Sequence, residues 1–101
     1  MNISFKAPYY NFIESKKVDT IAIYNQFINW VIGEFDLYQS EETEGLKIYF
    51  SNGWFTINIL NKNKSCIKIA IIIKSKSLND GKIIGEKINT IFSKLNKFSQ
   101  K

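Results

Sequence analysis

The stretch 46–74, LKIYFSNGWFTINILNKNKSCIKIAIIIK, constrains the fold more than any other part of the chain. Its two turn signals put every second residue of three strands on one apolar face. Asn52-Gly53 is the preferred two-residue type I′ hairpin turn, in which both positions need φ > 0. That turn pairs Phe50 with Phe55, Ile48 with Ile57 and Leu46 with Ile59. A second turn through Lys62-Asn63-Lys64 pairs Ile59 with Ile67, Ile57 with Ile69 and Phe55 with Ile71. The two registers agree, so ten apolar residues, from Leu46 to Ile73, form one side of a three-stranded antiparallel meander. Each is worth about 1.5–3 kcal/mol when fully buried. A face of this kind needs a cover.

Two amphipathic segments supply it. Ile84, Ile88, Ile91, Phe92, Leu95 and Phe98 recur at helical spacing behind Ser77, Asn79 and Asp80, which predicts a helix over about 80–98 with Lys87, Lys94, Lys97 and Lys101 along one flank. An earlier helix is predicted over about 19–35, with Asp19 as N-cap and Val18 and Ile23 as a hydrophobic staple. Its apolar residues surround most of the axis and leave a narrow polar stripe at Asn25, Gln26, Asn29 and Gly33. Such a helix is usually buried on more than one side. Ile3, Phe5 and Ala7 alternate as a short edge strand, and the acidic stretch 36–45 reads as a loop. The expectation is one α+β domain over 1–101: helix, three-stranded meander over about 46–74, helix, and a short N-terminal edge strand.

Composition narrows the classes of function. The longest apolar run, Ile69 to Ile73, is far too short to span a membrane, and the first residues lack the pattern of a signal peptide. With one cysteine, Cys66, no internal disulfide can form, which suits a reducing compartment. A cytoplasmic protein with no membrane contact is expected. All fourteen basic residues are lysine, and they are unevenly placed. Residues 1–45 carry three lysines and seven acids, whereas residues 46–101 carry eleven lysines and two acids, so the net +5 divides into −4 and +9. Oppositely charged halves attract copies of the chain, an acidic protein or a polyanion.

Catalytic chemistry has little to work with. The absence of histidine removes the commonest general base and metal ligand, and the absence of arginine removes bidentate clamping of phosphate. Cys66 would depend on Lys68, two residues along the same strand face, to become nucleophilic, and it reads as an inert thiol beside Leu60. Glu41, Glu42 and Glu44 lack the fixed spacing of a calcium loop. The stretch 81–87 lacks the spacing and the Ser/Thr of a phosphate loop. No catalytic residue, metal or cofactor is expected, and the chain reads as a non-enzyme.

Two binding surfaces follow from the pattern. The helix over about 19–35 offers Ile23, Phe27, Trp30 and Phe35 as a protein interface. The second sheet face lines up Lys47 with Asn58 and Lys68, Tyr49 with Thr56 and Ala70, and Trp54 with Ile72; with Lys74 it mixes charge for phosphates with rings for bases. Lys87, Lys94 and Lys101 offer a competing basic surface on the last helix. The order helix, three antiparallel strands, helix resembles in topology the double-stranded RNA-binding domain and the Alu-binding proteins of the signal recognition particle. The hairpin-loop histidine of the former has no counterpart in Ser51-Asn52-Gly53, and the last helix opens SLNDGK without a lysine cluster, so no family is assigned. The expected function is a non-catalytic protein-binding module, either a homodimer or a small subunit or inhibitor of a larger assembly. The alternative is weak, sequence-nonspecific binding of RNA or single-stranded nucleic acid through the lysine-rich second half.

Overall fold

The computed structural model describes residues 1–42, 45–63 and 65–99; Glu44, Lys64 and Lys101 lie outside them. The α+β class stands, but the sheet is twice as wide as the meander. Strands β1 (Asn2–Lys6), β2 (Tyr9–Val18), β3 (Ser40–Glu42), β4 (Leu46–Phe50), β5 (Gly53–Lys62) and β6 (Ile67–Ser75) form one antiparallel sheet in the order β1-β2-β6-β5-β4-β3. Helix α1 (Ile21–Glu34) connects β2 to β3 at the far edge, and α2 (Leu78–Ser99) follows β6. With six strands and an N-terminal hairpin, the topological likeness to three-stranded RNA-binding domains lapses.

The core lies between the helices and one face of the sheet. Phe12, Val18, Leu46, Ile48, Phe55, Ile57, Ile67, Ile69, Ile71 and Ile73 supply the sheet side, and Phe27, Val31, Ile88 and Leu95 are fully covered from the helices. Phe27 meets Phe92 edge-to-face at 5.5 Å and Phe35 meets Phe55 at 5.0 Å, geometries that aromatic quadrupoles favour. The nearly all-apolar α1 finds its second cover inside the chain: it packs on α2 as well as on the sheet side, while Asn25, Asn29 and Gly33 remain exposed.

Four local expectations are corrected. The N-terminal strand is a hairpin of β1 and β2 joined through a cis Ala7–Pro8 peptide, and β2 is an interior strand paired with β6. Its alternation is hidden because Glu14 and Lys16 occupy helix-facing positions. They are tolerated there because their side chains pair at 3.5 Å and Lys16 Nζ lies 4.7 Å from the centre of the Phe92 ring. The acidic loop contains strand β3, paired with β4. Thr20, not Asp19, caps α1: its hydroxyl accepts the Ile23 N–H at 3.2 Å.

The meander register is the fourth correction. Phe50 pairs with Gly53, Ile48 with Phe55 and Leu46 with Ile57, so the turn residues are Ser51-Asn52. Across the next ladder Phe55 pairs with Ile73, Ile57 with Ile71 and Ile59 with Ile69, and the register then shifts between Ile59 and Asn61. Both ladders are displaced by two residues from the expected pairing. A two-residue displacement leaves every side chain on its original face, so the apolar pattern could not discriminate between the two registers. Tertiary contacts decide. The Asn52 carboxamide donates to the Asp80 carboxylate at the start of α2, and the Asn52 carbonyl accepts the Lys76 N–H at 2.8 Å. In the second loop the Asn63 side chain accepts from the Ser65 N–H, the Ser65 hydroxyl and the Cys66 N–H, each at 3.0 Å. Cys66 therefore sits in a turn ahead of β6, not on a strand face beside Leu60.

Candidate nucleic-acid interface

The helices cover one face of the sheet and leave the other open. Strand alternation assigns to the open face Lys6 from β1, Tyr9, Asn11, Ile13, Ser15 and Lys17 from β2, and Lys68, Ala70, Ile72 and Lys74 from β6. Trp54, Thr56 and Asn58 continue it on β5, then Lys47 and Tyr49 on β4, and Glu41 on β3. Lys76 joins beyond β6, its Nζ 5.9 Å from the Tyr9 ring centre. Among the described residues this face carries six lysines, Lys6, Lys17, Lys47, Lys68, Lys74 and Lys76, against one acid, Glu41.

The expected open-face contacts Lys47, Tyr49, Trp54, Lys68 and Lys74 are thus brought together, though in new rows. Tyr49 stands opposite Trp54, Trp54 opposite Lys74 and Lys74 opposite Asn11; Lys47 stands opposite Thr56 and Glu41. Tyr9 and Lys17 escape the sequence pattern because charges break the alternation of β2, Lys6 belongs to the β1 edge whose partner strand that pattern hides, and Lys76 lies past the expected end of the meander at Lys74. Lys17 and Lys68 are direct cross-strand partners, a like-charge pairing that is unfavourable in the free protein and relieved by an anion between them.

Aromatic rings cluster at one end of the same face. Tyr9 and Trp54 meet edge-on with centroids 5.2 Å apart. Lys47 Nζ lies 4.9 Å from the Tyr49 ring and 5.1 Å from the Trp54 ring. The Tyr49 hydroxyl donates to Glu41 Oε1 at 3.3 Å, which ties the single acid to the rim.

The remaining expected residues lie elsewhere. Lys87 and Lys94 are exposed on α2, across the molecule from the open face, and Lys87 Nζ lies 5.8 Å from the Phe35 ring. In the expected protein interface, Phe27 and Phe35 are sealed in the core at 0% and 1% exposure, because α2 and the sheet close over them. Only Ile23 and Trp30 keep partial exposure, at the rim of the core. Among the described residues no three carboxylates or thiols are grouped closely enough to hold a metal ion. No described helix is long and apolar enough to cross a membrane.

A groove between α1 and the β3–β5 edge is lined by Tyr24, Ile28, Glu42 and Ile59. Burial, and secondarily the negative charge of Glu42, raise the Tyr24 hydroxyl pKa above its usual 10.0. An acid whose folded pKa is raised loses its contribution to stability as pH climbs from the unfolded value through the folded one. Stability should therefore fall above about pH 10, and Tyr24→Phe should reduce that fall in thermal melts at pH 9 and 11. An identical loss in both proteins would refute the assignment.

No family model matches the sequence, and no curated protein matches it.

Proposed function

We propose that the chain is a non-catalytic binding module whose open sheet face takes a polyanion of the nucleic-acid kind. The observation that supports this reading is the charge of that face, six lysines to one glutamate, with three aromatic rings among them. A one-signed surface of this width focuses its potential outward and attracts a phosphate backbone. Lysine acts as a point charge, and without arginine there is no bidentate reading of guanine, so recognition is of backbone and not of sequence. If all six lysines neutralise phosphates of a single strand, log K should fall with log salt with a slope of about −4. Filter binding or anisotropy with RNA, single-stranded DNA, duplex DNA and heparin across a salt series measures it. No retention of any polyanion at low salt would overturn the proposal.

A protein partner is the second reading, favoured by the exposed edge strand β1. All five of its residues are exposed, and Met1, Ile3 and Phe5 lie 42%, 47% and 58% exposed on its helix side. The opposite edge is short and carries Glu41 and Glu42, features that discourage strand addition. Light scattering across a concentration series, with Phe5→Lys as comparison, separates self-association through this edge from the polyanion reading.

A further inference from the structure

Resting on the polyanion reading of the open face, we infer that its ligand is single-stranded nucleic acid, with bases stacked on Trp54 and Tyr49 in place of the Lys47 ammonium. The argument starts from the position of the rings. Tyr49 and Trp54 are direct cross-strand partners on β4 and β5, and Tyr9 meets Trp54 edge-on from the β2 side. Strands lie about 4.8 Å apart, so neighbouring rings on adjacent strands can serve successive unstacked bases. Phosphate contacts can use a tyrosine hydroxyl but not the face of an indole, whereas an unstacked base can use the faces of both rings.

Lysines border the rings from β4, β6 and the residue after β6, while Glu41 borders Tyr49 from β3. Lys74 follows Trp54 in the same row, Lys47 is one row along, and Lys76 lies over Tyr9. Lys47 Nζ, close to both the Tyr49 and Trp54 rings, holds the site a base would take. An exposed cation–π contact is worth only about 0.5–1 kcal/mol. A stacked base is worth about 1–3 kcal/mol, so the exchange runs forward, and the displaced ammonium is then free to meet the phosphate of the same nucleotide. Stacking and charge neutralisation become one step. Duplex cannot use this arrangement, because its bases are already stacked on each other; it reaches only the lysines.

The chemistry fits RNA and DNA single strands equally: every base has a π-face, and the inference requires no 2′-hydroxyl contact. The test uses labelled oligo(U), oligo(dT), a duplex of equal length and heparin, with the intact chain and with Trp54→Ala, Trp54→Phe and Tyr49→Ala. Circular dichroism checks that each variant is folded, and Trp54→Phe keeps a ring should the alanine variant unfold. Tryptophan emission is read in a Trp30→Phe background so that Trp54 reports alone. Expected are quenching by single strands and not by heparin, a loss of single-strand affinity of about tenfold or more in Trp54→Ala, and substantial recovery in Trp54→Phe. Heparin and duplex affinities should be unchanged by the same substitutions. Equal affinity for all four ligands, with no quenching and no effect of Trp54→Ala, would overturn the inference and leave the polyanion reading standing. Failure of every ligand to bind at low salt would overturn both.

Discussion

Gly53→Val should destabilise the fold by about 3 kcal/mol or more, seen as a large drop in the midpoint of urea or thermal unfolding. The reason is a close approach of two backbones. Gly53 stands opposite Ser75 at the first rung of the β5–β6 ladder, and a Cβ there would fall inside the van der Waals envelope of the Lys74 carbonyl oxygen and 2.8 Å from its carbon. Neither atom belongs to a flexible side chain that could swing away. With total stabilities of about 5–15 kcal/mol for domains of this size, such a loss leaves a considerable unfolded fraction. Two companion variants separate this cause from the hairpin-turn explanation. A type I′ turn at Asn52-Gly53 would need positive φ at Asn52, yet no described non-glycine residue has positive φ. Asn52→Ala should therefore cost only the hydrogen bond to the Asp80 carboxylate, about 1.5 kcal/mol at a site that water still reaches. Gly33→Ala, where an added methyl meets nothing within 4 Å on the exposed side of α1, should be stabilising by about 0.5 kcal/mol. A Gly53→Val protein as stable as the parent would mean that β5 does not approach β6 at this point.

The contrast between β6 and β2 explains how far the sequence could be read. Ile67, Ile69, Ile71 and Ile73 alternate without interruption, and all four are buried, so both the strand and its inward face were legible. In β2 the same inward positions hold Tyr10, Phe12, Glu14, Lys16 and Val18, and two charges broke the alternation. Their tolerance depends on each other and on Phe92, seventy-six residues from Lys16, which no local pattern reveals. Missing β2 had a consequence for the site. The same broken alternation hides Tyr9 and Lys17, which extend the open face beyond the three strands of the meander. The turn at Asn52-Gly53 failed for a different reason: local propensity for φ > 0 lost to contacts with Asp80 and Lys76, and periodicity of two could not detect a displacement of two. The apolar excess that suggested a partner for α1 is largely consumed by the three further strands and by α2. Phe27 and Phe35 are spent inside.

Charge reversal on the open face should lower polyanion affinity by about 100-fold or more, whereas the same reversal on α2 should change it several-fold at most. The first variant is Lys47→Glu/Lys68→Glu/Lys74→Glu and the second is Lys82→Glu/Lys87→Glu/Lys94→Glu. Three reversals of two charges each take the net charge from +5 to −1 in both, so any difference belongs to position and not to total charge. Lys47, Lys68 and Lys74 occupy β4, β6 and β6 on the open face, while Lys82, Lys87 and Lys94 are exposed along α2. The two surfaces lie on opposite sides of the core, and at about 0.15 M salt the Debye length of about 8 Å screens one from the other. The slope of log K against log salt should also flatten by about two units in the first variant, since three phosphate contacts are lost, and stay near its parent value in the second. The single reversal Lys68→Glu is an internal control: it converts the like-charge pair with Lys17 into an attractive one, so that single variant should be no less stable than the parent while it binds more weakly, whereas Lys47→Glu would face Glu41 across the ladder. Loss of affinity confined to the α2 variant would move the site to the helix surface. Equal losses in the two would reduce the open face to one part of a diffuse basic exterior.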